Sequence, residues 1–224
     1  MPASTAWPAD PPRDCGLCPR LAAFRATNRQ AQPDWFNAPV PAFGPPEARL
    51  LIVGLAPGRR GANRTGRPFT GDDAGELLYA TLCRLGLARG DYRARSDDGL
   101  TLAGCRVTNA VRCVPPENKP TAAELRTCAE TFLAPELAAL PQLRVVVALG
   151  RMAHDAVLSA LGRTRAHHPF RHGAEHALSG APVLIDSYHC SRYNTNTRRL
   201  TPEMFETVLA RAAMLERDAI RLDR

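Results

Sequence analysis

Two cysteine pairs raise the first chemical question. Cys15 and Cys18 form a CxxC near the start of the chain, and Cys113 and Cys128 bound the segment CVPPENKPTAAELRTC. Four thiolates suffice to close a tetrahedral zinc site or to hold an iron-sulfur cubane, one cysteine per iron. A zinc ribbon sets its halves about 15 to 20 residues apart. Here 94 residues separate Cys18 from Cys113, and fourteen separate Cys113 from Cys128. The set therefore reads as a staple pinning the N-terminal segment and one helix onto a larger fold. Cys83 and Cys105 fall inside helix and strand patterns and read as small core residues. Cys190 follows a histidine, but no base is evident near it, so it ranks low as a nucleophile.

The second chemical segment is GLAPGRRGANRTGRPFTGDDAG, residues 54 to 75, with six glycines, four arginines and two adjacent aspartates. It has neither GxxxxGK[ST] nor the dinucleotide fingerprint GxGxxG, which argues against nucleoside-triphosphate chemistry. Arg59, Arg60, Arg64 and Arg67 remain as candidate contacts to a phosphate backbone, with a solvated basic loop as the plainer alternative. The third segment is SYHCSRYNTNTRRLT, residues 187 to 201, where His189 is followed by Asn194, Asn196, Arg198 and Arg199. A histidine just past a strand can donate to a developing anion. His167, His168, His172 and His176 lack HExxH spacing and read as a solvated surface loop.

The elements that must position these residues follow from hydrophobic pattern. LLIVGL (50–55), CRVTNAVRC (105–113), LRVVVALG (143–150) and APVLIDSYH (181–189) read as strands. Helical spacing returns after each of them, with Thr121 and Glu124 in capping-box register and Pro202 in the first turn of the last helix. Such alternation predicts a three-layer α/β/α sandwich on a central four-stranded parallel sheet. Ligands gather at the carboxyl ends of such strands, which singles out the loops 55–72, 109–120 and 187–199. With 224 residues and 45% apolar content, the chain predicts a single domain from residue 14 onward, after a proline-rich mobile leader at 1–13.

Charge narrows the partner. The net charge is +7, and Lys119 is the only lysine among 29 basic residues. Arginine forks suit phosphate oxygens, so nucleic acid is the first partner to consider. No stretch approaches the roughly 18 apolar residues of a membrane span. An odd seven cysteines without a secretion signal predict a cytosolic protein with ligated or free thiols.

Taken together, GLAPGRRGANRTGRPFTGDDAG, TNAVRCVPPENKP and HCSRYNTNTRRLT, with the CxxC start and Cys128, resemble the iron-sulfur uracil-DNA glycosylases from about residue 15 to about residue 210. The match is to family 5, the type B enzymes. Family 4 carries a glutamate in its GEAPG-like loop where this chain has Leu55. The resemblance implies a monomeric DNA repair enzyme that flips a deaminated base from DNA and hydrolyses its N-glycosidic bond. Uracil would be accepted together with hypoxanthine, xanthine or ethenocytosine. Cys15, Cys18, Cys113 and Cys128 would hold a structural [4Fe-4S] cluster.

It also implies roles residue by residue. Phe69 would stack on the extracted base, with a buried core aromatic as the plainer alternative, and Asn109 would read the base edge beside Gly54 and Ala56. His189 would face the oxygen that gains charge. Asp72 would aid the attacking water, and Asn118 would help to position it. Arg59, Arg60, Arg64, Arg67, Arg192, Asn194, Arg198 and Arg199 would grip or brace the DNA, with Arg192 and Tyr193 both candidates for the duplex wedge. No role falls to Gly58. A cysteine-stapled protein that recognises lesions without cleaving them uses the same charge and thiols, so only the site separates the two readings.

Overall fold

The computed structural model describes residues 10–222, with side chains through Arg217. In chain order the elements are α1 (Pro19–Ala31), β1 (Leu50–Gly54), α2 (Ala62–Thr65), α3 (Asp73–Arg84), β2 (Ala88–Arg89), β3 (Thr101–Leu102) and β4 (Cys105–Asn109). There follow α4 (Ala122–Cys128), which runs through one π turn into α5 (Ala134–Ala139), then β5 (Val145–Leu149), α6 (Arg151–Ala160), β6 (Glu175–His176), β7 (Val183–Ser187), α7 (Arg192–Asn196) and α8 (Pro202–Leu222).

The central sheet has the order β4-β1-β5-β7-β6. The four long strands pair in parallel, Leu50 opposite both Cys105 and Val145, and Val145 opposite Val183. β1, β4 and β5 are buried at every position, as apolar strands covered on both faces must be. Alternate residues serve opposite faces. Leu50, Ile52, Val145 and Val147 pack with Leu78, Leu82, Phe205 and Leu209 of α3 and α8. Leu51, Val53, Val146 and Ala148 pack with Leu133, Leu137, Ala153 and Val157 of the α4–α5 segment and α6. The α/β/α layering is as predicted, but the sheet has a fifth strand. β6 adds antiparallel to the β7 edge, His176 opposite Leu184, and two residues are too short to leave a periodic signal.

The helix ends follow their sequence signals. Thr121 and Glu124 form the capping box, and Pro202 opens α8. Of the expected leader, residues 1–9 lie outside the described residues. Asp10 accepts from the backbone N–H of Ala42 and faces Arg112 at 3.5 Å. No helix among the described residues is long and apolar enough to cross a membrane.

Candidate active site

The carboxyl ends of β1, β4 and β7 deliver their loops to one cavity of about 370 Å3, lined by Phe69, Asp72, Asn109, Asn118 and His189 among others. Leu55 and Ala56 from the β1 exit complete its wall, and Arg192 stands on its rim. Three separate segments of sequence thus meet at one place. β1 and β4 stay in register beyond their ends: the N–H groups of Ala110 and Val111 donate to the carbonyls of Gly54 and Leu55, both at 2.9 Å. Gly54 is the floor. A Cβ there would sit 2.4 Å from both Asn109 Oδ1 and the Phe69 ring, so any side chain would push the two apart.

Asp72 is the N-cap of α3, and its Oδ1 accepts the Gly75 N–H at 3.3 Å. Burial raises its pKa above the ordinary value of 3.8, with the backbone N–H groups of the helix start opposing that shift. The other oxygen fits against the first loop because nothing projects there: a Cβ on Gly61 would lie 2.2 Å from Oδ2, and one on Gly58 would lie 2.9 Å from it. Gly58, given no role from sequence, is thus part of the recess for this carboxylate, as is Gly61. Glycines fourteen and eleven residues before an acid give no hint in sequence that they make room for it.

Phe69 sits over His189, ring centroids 5.8 Å apart and 29° from parallel. Its backbone is left-handed, φ 51°, a costly conformation for a bulky residue that its surroundings must enforce. Tyr79 Oη donates to the carbonyl of Pro68 at 2.6 Å, and Tyr92 Oη donates to that of Phe69 at 3.4 Å. Burial pushes the His189 imidazole down to about 4, so the ring is neutral near pH 7 and can present one N–H. Its loop is braced by Asn194, whose Nδ2 donates to the His189 carbonyl at 2.8 Å. Asn118 follows Glu117, and both are left-handed, φ 56° and 54°, which turns Asn118 to the cavity rim.

Among the predicted DNA contacts one is corrected. Arg67 is 4% exposed and forms a two-pronged ion pair with Asp98, both contacts 2.7 Å, while its guanidinium lies against the rings of Phe43, Tyr79 and Tyr92. It anchors the loop that carries Phe69 and has no face for a phosphate. Its partner lies 31 residues away, so the loop sequence alone does not reveal it. Arg59 is exposed but tied through Nε to Asn28 on α1. Arg64 wraps its own loop through the carbonyls of Arg60 and Gly71. Arg60, Arg192, Arg198 and Arg199 are exposed, and Asn194 is half-buried with its amide engaged as above. Tyr193, on α7 next to Arg192, is 72% exposed.

The histidine segment also departs from expectation. Asp186 of β7 accepts from His154 Nδ1 at 2.6 Å, from His176 Nε2 at 2.9 Å and from the Arg171 N–H at 3.1 Å. The donor atoms of His154, His176 and Asp186 lie within 4.8 Å of one another, and these hydrogen bonds account for the grouping. His172 stacks on Tyr188, ring centroids 5.0 Å apart, and accepts that residue's N–H. His167 is exposed, as expected of a solvated loop, whereas His172 and His176 form a clamp on the end of β7, two residues before His189.

Cys15, Cys18, Cys113 and Cys128 line one small cavity with Leu21, Arg112 and Phe132. Arg25 Nη1 donates to Cys113 Sγ at 3.4 Å, and the Arg112 N–H donates to Cys128 Sγ at 3.3 Å. Burial pushes the Cys113 thiol up to about 11 and Cys128 up to about 12. Four convergent sulfurs with N–H donors and a cation beside them form a donor set suited to thiolate ligation. Cys83 and Cys105 are free, Cys105 fully buried as a core residue. Cys190 is buried, its thiol donating to the Ala74 carbonyl at 3.4 Å, and burial raises its pKa, so it is no nucleophile.

Comparison with known proteins agrees with this architecture. The family model described as the Uracil DNA glycosylase superfamily matches residues 41–213. The chain is 52% identical over 207 residues to a protein of Thermus thermophilus named Type-5 uracil-DNA glycosylase, covering 90% of this chain and 93% of that one. It is 44% identical over 204 residues to the Type-5 uracil-DNA glycosylase of Pyrobaculum aerophilum, covering 89% and 88%. To the protein of the same name from Mycobacterium bovis it is 41% identical over 209 residues, covering 90% and 78%. With three strand-end loops meeting in one cavity and these relatives along nine-tenths of its length, the chain belongs to the uracil DNA glycosylase superfamily, in its type-5 branch.

Proposed function

We propose that this protein removes uracil from DNA, together with hypoxanthine, xanthine and ethenocytosine, by hydrolysing the N-glycosidic bond and leaving an abasic site. One observation carries the reading: Phe69, Asp72, Asn109, Asn118 and His189 come from three distant segments and line a single cavity. A base in a duplex cannot reach such a recess, so the nucleotide must first be flipped out, which is least costly where pairing is already weak.

In the pocket, Phe69 offers a ring face and Asn109 a carboxamide for the base edge. The bond breaks with its electron pair on the base while positive charge grows on the sugar. Neutral His189 meets the charge on the base with an N–H, which avoids placing a full cation in a buried site. Ionised Asp72 favours the cationic sugar and orients the water, which Asn118 helps to hold as its oxygen bonds to the anomeric carbon. Leu55 keeps one wall apolar where an acid would select for particular base edges, in keeping with broad acceptance. Exposed Arg59, Arg60, Arg64, Arg192, Arg198 and Arg199 supply sequence-independent grip on the backbone.

Cys15, Cys18, Cys113 and Cys128 would hold a [4Fe-4S] cluster. When bound, the cluster would supply a cross-link between the N-terminal segment and the sheet. Ala56 packs against the cysteine cluster and also lines the base cavity, so the staple steadies the pocket wall. The test is incubation of the purified protein with duplexes carrying each of the four lesions, followed by alkaline cleavage at abasic sites. Strand breaks at all four are expected. Breaks at uracil alone would remove the broad reading, and breaks at none would remove the activity.

A further inference from the structure

Histidines that the strand-end motifs leave unused converge on one buried carboxylate. His154 of α6 is 1% exposed, and Asp186 of β7 is fully buried. Nδ1 of His154 lies 2.6 Å from Asp186 Oδ1, and its Nε2 lies 2.9 Å from the carbonyl of His168. We propose that His154 is a positioning residue for His189, held as a buried imidazolium whose charge fixes the end of β7. The proposal rests on His189 acting on the extruded base, and it gives a part in that reaction to a side chain that does not line the base cavity.

Counting donors and acceptors fixes the charge. A peptide carbonyl can only accept, so Nε2 of His154 carries a proton. Asp186 accepts two further N–H groups on Oδ2, from His176 Nε2 at 2.9 Å and from the Arg171 backbone at 3.1 Å. Three donors around one carboxyl group favour its ionised form, so Nδ1 of His154 carries a proton as well. A ring protonated on both nitrogens is a cation. Burial works against that charge, yet Asp186 and the His168 carbonyl outweigh it, and the His154 pKa stands above its ordinary 6.5. The other neighbours agree. Asp155 on α6 favours the charge too, while burial and His176 hold the adjacent His168 below its ordinary value, so His168 adds no fixed cation. The His176 ring of β6, centroid 5.3 Å away, and the edge-on Phe170 ring, 5.6 Å away, close the remaining sides.

The path from this pair to His189 is short. Asp186 precedes His189 by three residues, and both intervening backbone groups are tied down. The Ser187 carbonyl accepts the N–H of Gly150, the residue before α6, at 2.8 Å, and the Tyr188 N–H donates to His172 Nδ1 at 3.1 Å. A Cβ on Gly150 would lie 3.6 Å from that of His189, so the start of α6 packs directly against the catalytic histidine. The His154–Asp186 pair is thus a charged link between α6 and β7 beside the His189 backbone. Loss of the His154 proton leaves Asp186 buried with its counter-charge gone, which loosens the strand exit that aims His189. Because the His154 pKa is raised, the charge is present at and below 6.5 and is lost as pH rises through the folded value.

The test reads the ring nitrogens of His154 by NMR in the intact 15N-labelled protein as pH is raised from neutral, beside single-turnover uracil release over the same range. At neutral pH both nitrogens should carry a proton, and wild-type release should fall on the alkaline side with the midpoint at which His154 loses its proton. H154N keeps a donor toward Asp186 without the charge. It should release uracil about tenfold more slowly at neutral pH, lack the alkaline limb and bind the duplex with wild-type affinity, with thermal melts reporting its fold. A bare ring nitrogen on His154 at neutral pH overturns the proposal, and that reading needs no variant to fold. Release that stays level while His154 loses its proton, or a folded H154N with the wild-type rate and pH profile, overturns it as well. Failure of the glycosylase reading looks different, since wild-type protein would then bind the duplex and release no base at any pH.

Discussion

Asp72 must be ionised to attract a cationic sugar, yet it sits in a recess that raises its pKa. The sign of the resulting pH dependence is fixed. A carboxyl with a raised pKa takes up its proton at a higher pH than an ordinary aspartate, so single-turnover base release should fall on the acid side with a midpoint above 3.8. D72N should lack that limb. His189, held down to about 4, contributes no inflection near its ordinary 6.5. A rate profile with one midpoint near 6.5, abolished in H189A, would reverse the two roles. His189 was legible in sequence because it follows a strand end, whereas the role of Asp72 came from the resemblance. The glycines that make room for Asp72 were not, since their purpose is visible only once the loop folds back on the acid.

At the scale of elements, a buried ion pair anchors the loop from β1 to α3. Arg67 and Asp98 are both buried, at 4% and 0% side-chain exposure, and the guanidinium holds the Asp98 carboxyl well below the usual carboxylate range. Removing one partner leaves an uncompensated buried charge, so R67Q should destabilise the protein by about 3 kcal/mol in denaturant unfolding. Its salt slope for DNA binding should match wild type. A stable R67Q with a reduced slope would restore Arg67 to the DNA surface. The stability contributed by Asp98 should be fully present above its unfolded pKa near 3.8 and lost as pH falls below it. The four long strands and the helices between them were readable because continuous apolar runs and helical spacing differ in period. α1 buries Arg25 and Asn28 along with Leu21, and so has no apolar stripe to read. The β2–β3 pair and β6 are two residues per strand, below any detectable alternation.

At the scale of the molecule, the cysteine staple and the basic charge act on one site. Cys113 lies four residues beyond Asn109, and the backbone between them is bonded to the β1 exit, so a cluster on Cys113 and Cys128 would restrain the base pocket from behind. The purified protein should be brown, with broad absorbance near ~400 nm. C113S should lose that colour and unfold at lower temperature, and a colourless wild type containing one zinc would replace the cluster while keeping the staple. Cysteine spacing predicted a staple and the resemblance implied its metal, whereas the buried place of Arg67 required the fold. The central claim is that Asp72 and His189 act on a base held in the shared cavity. It is tested most directly by single-turnover uracil release from a duplex, set beside duplex affinity, for wild type, D72N and H189A. The account predicts abasic product from wild type, release slowed at least about tenfold in each variant, a barrier increase of ~1.4 kcal/mol, and unchanged affinity. Release at the wild-type rate in both variants would contradict it.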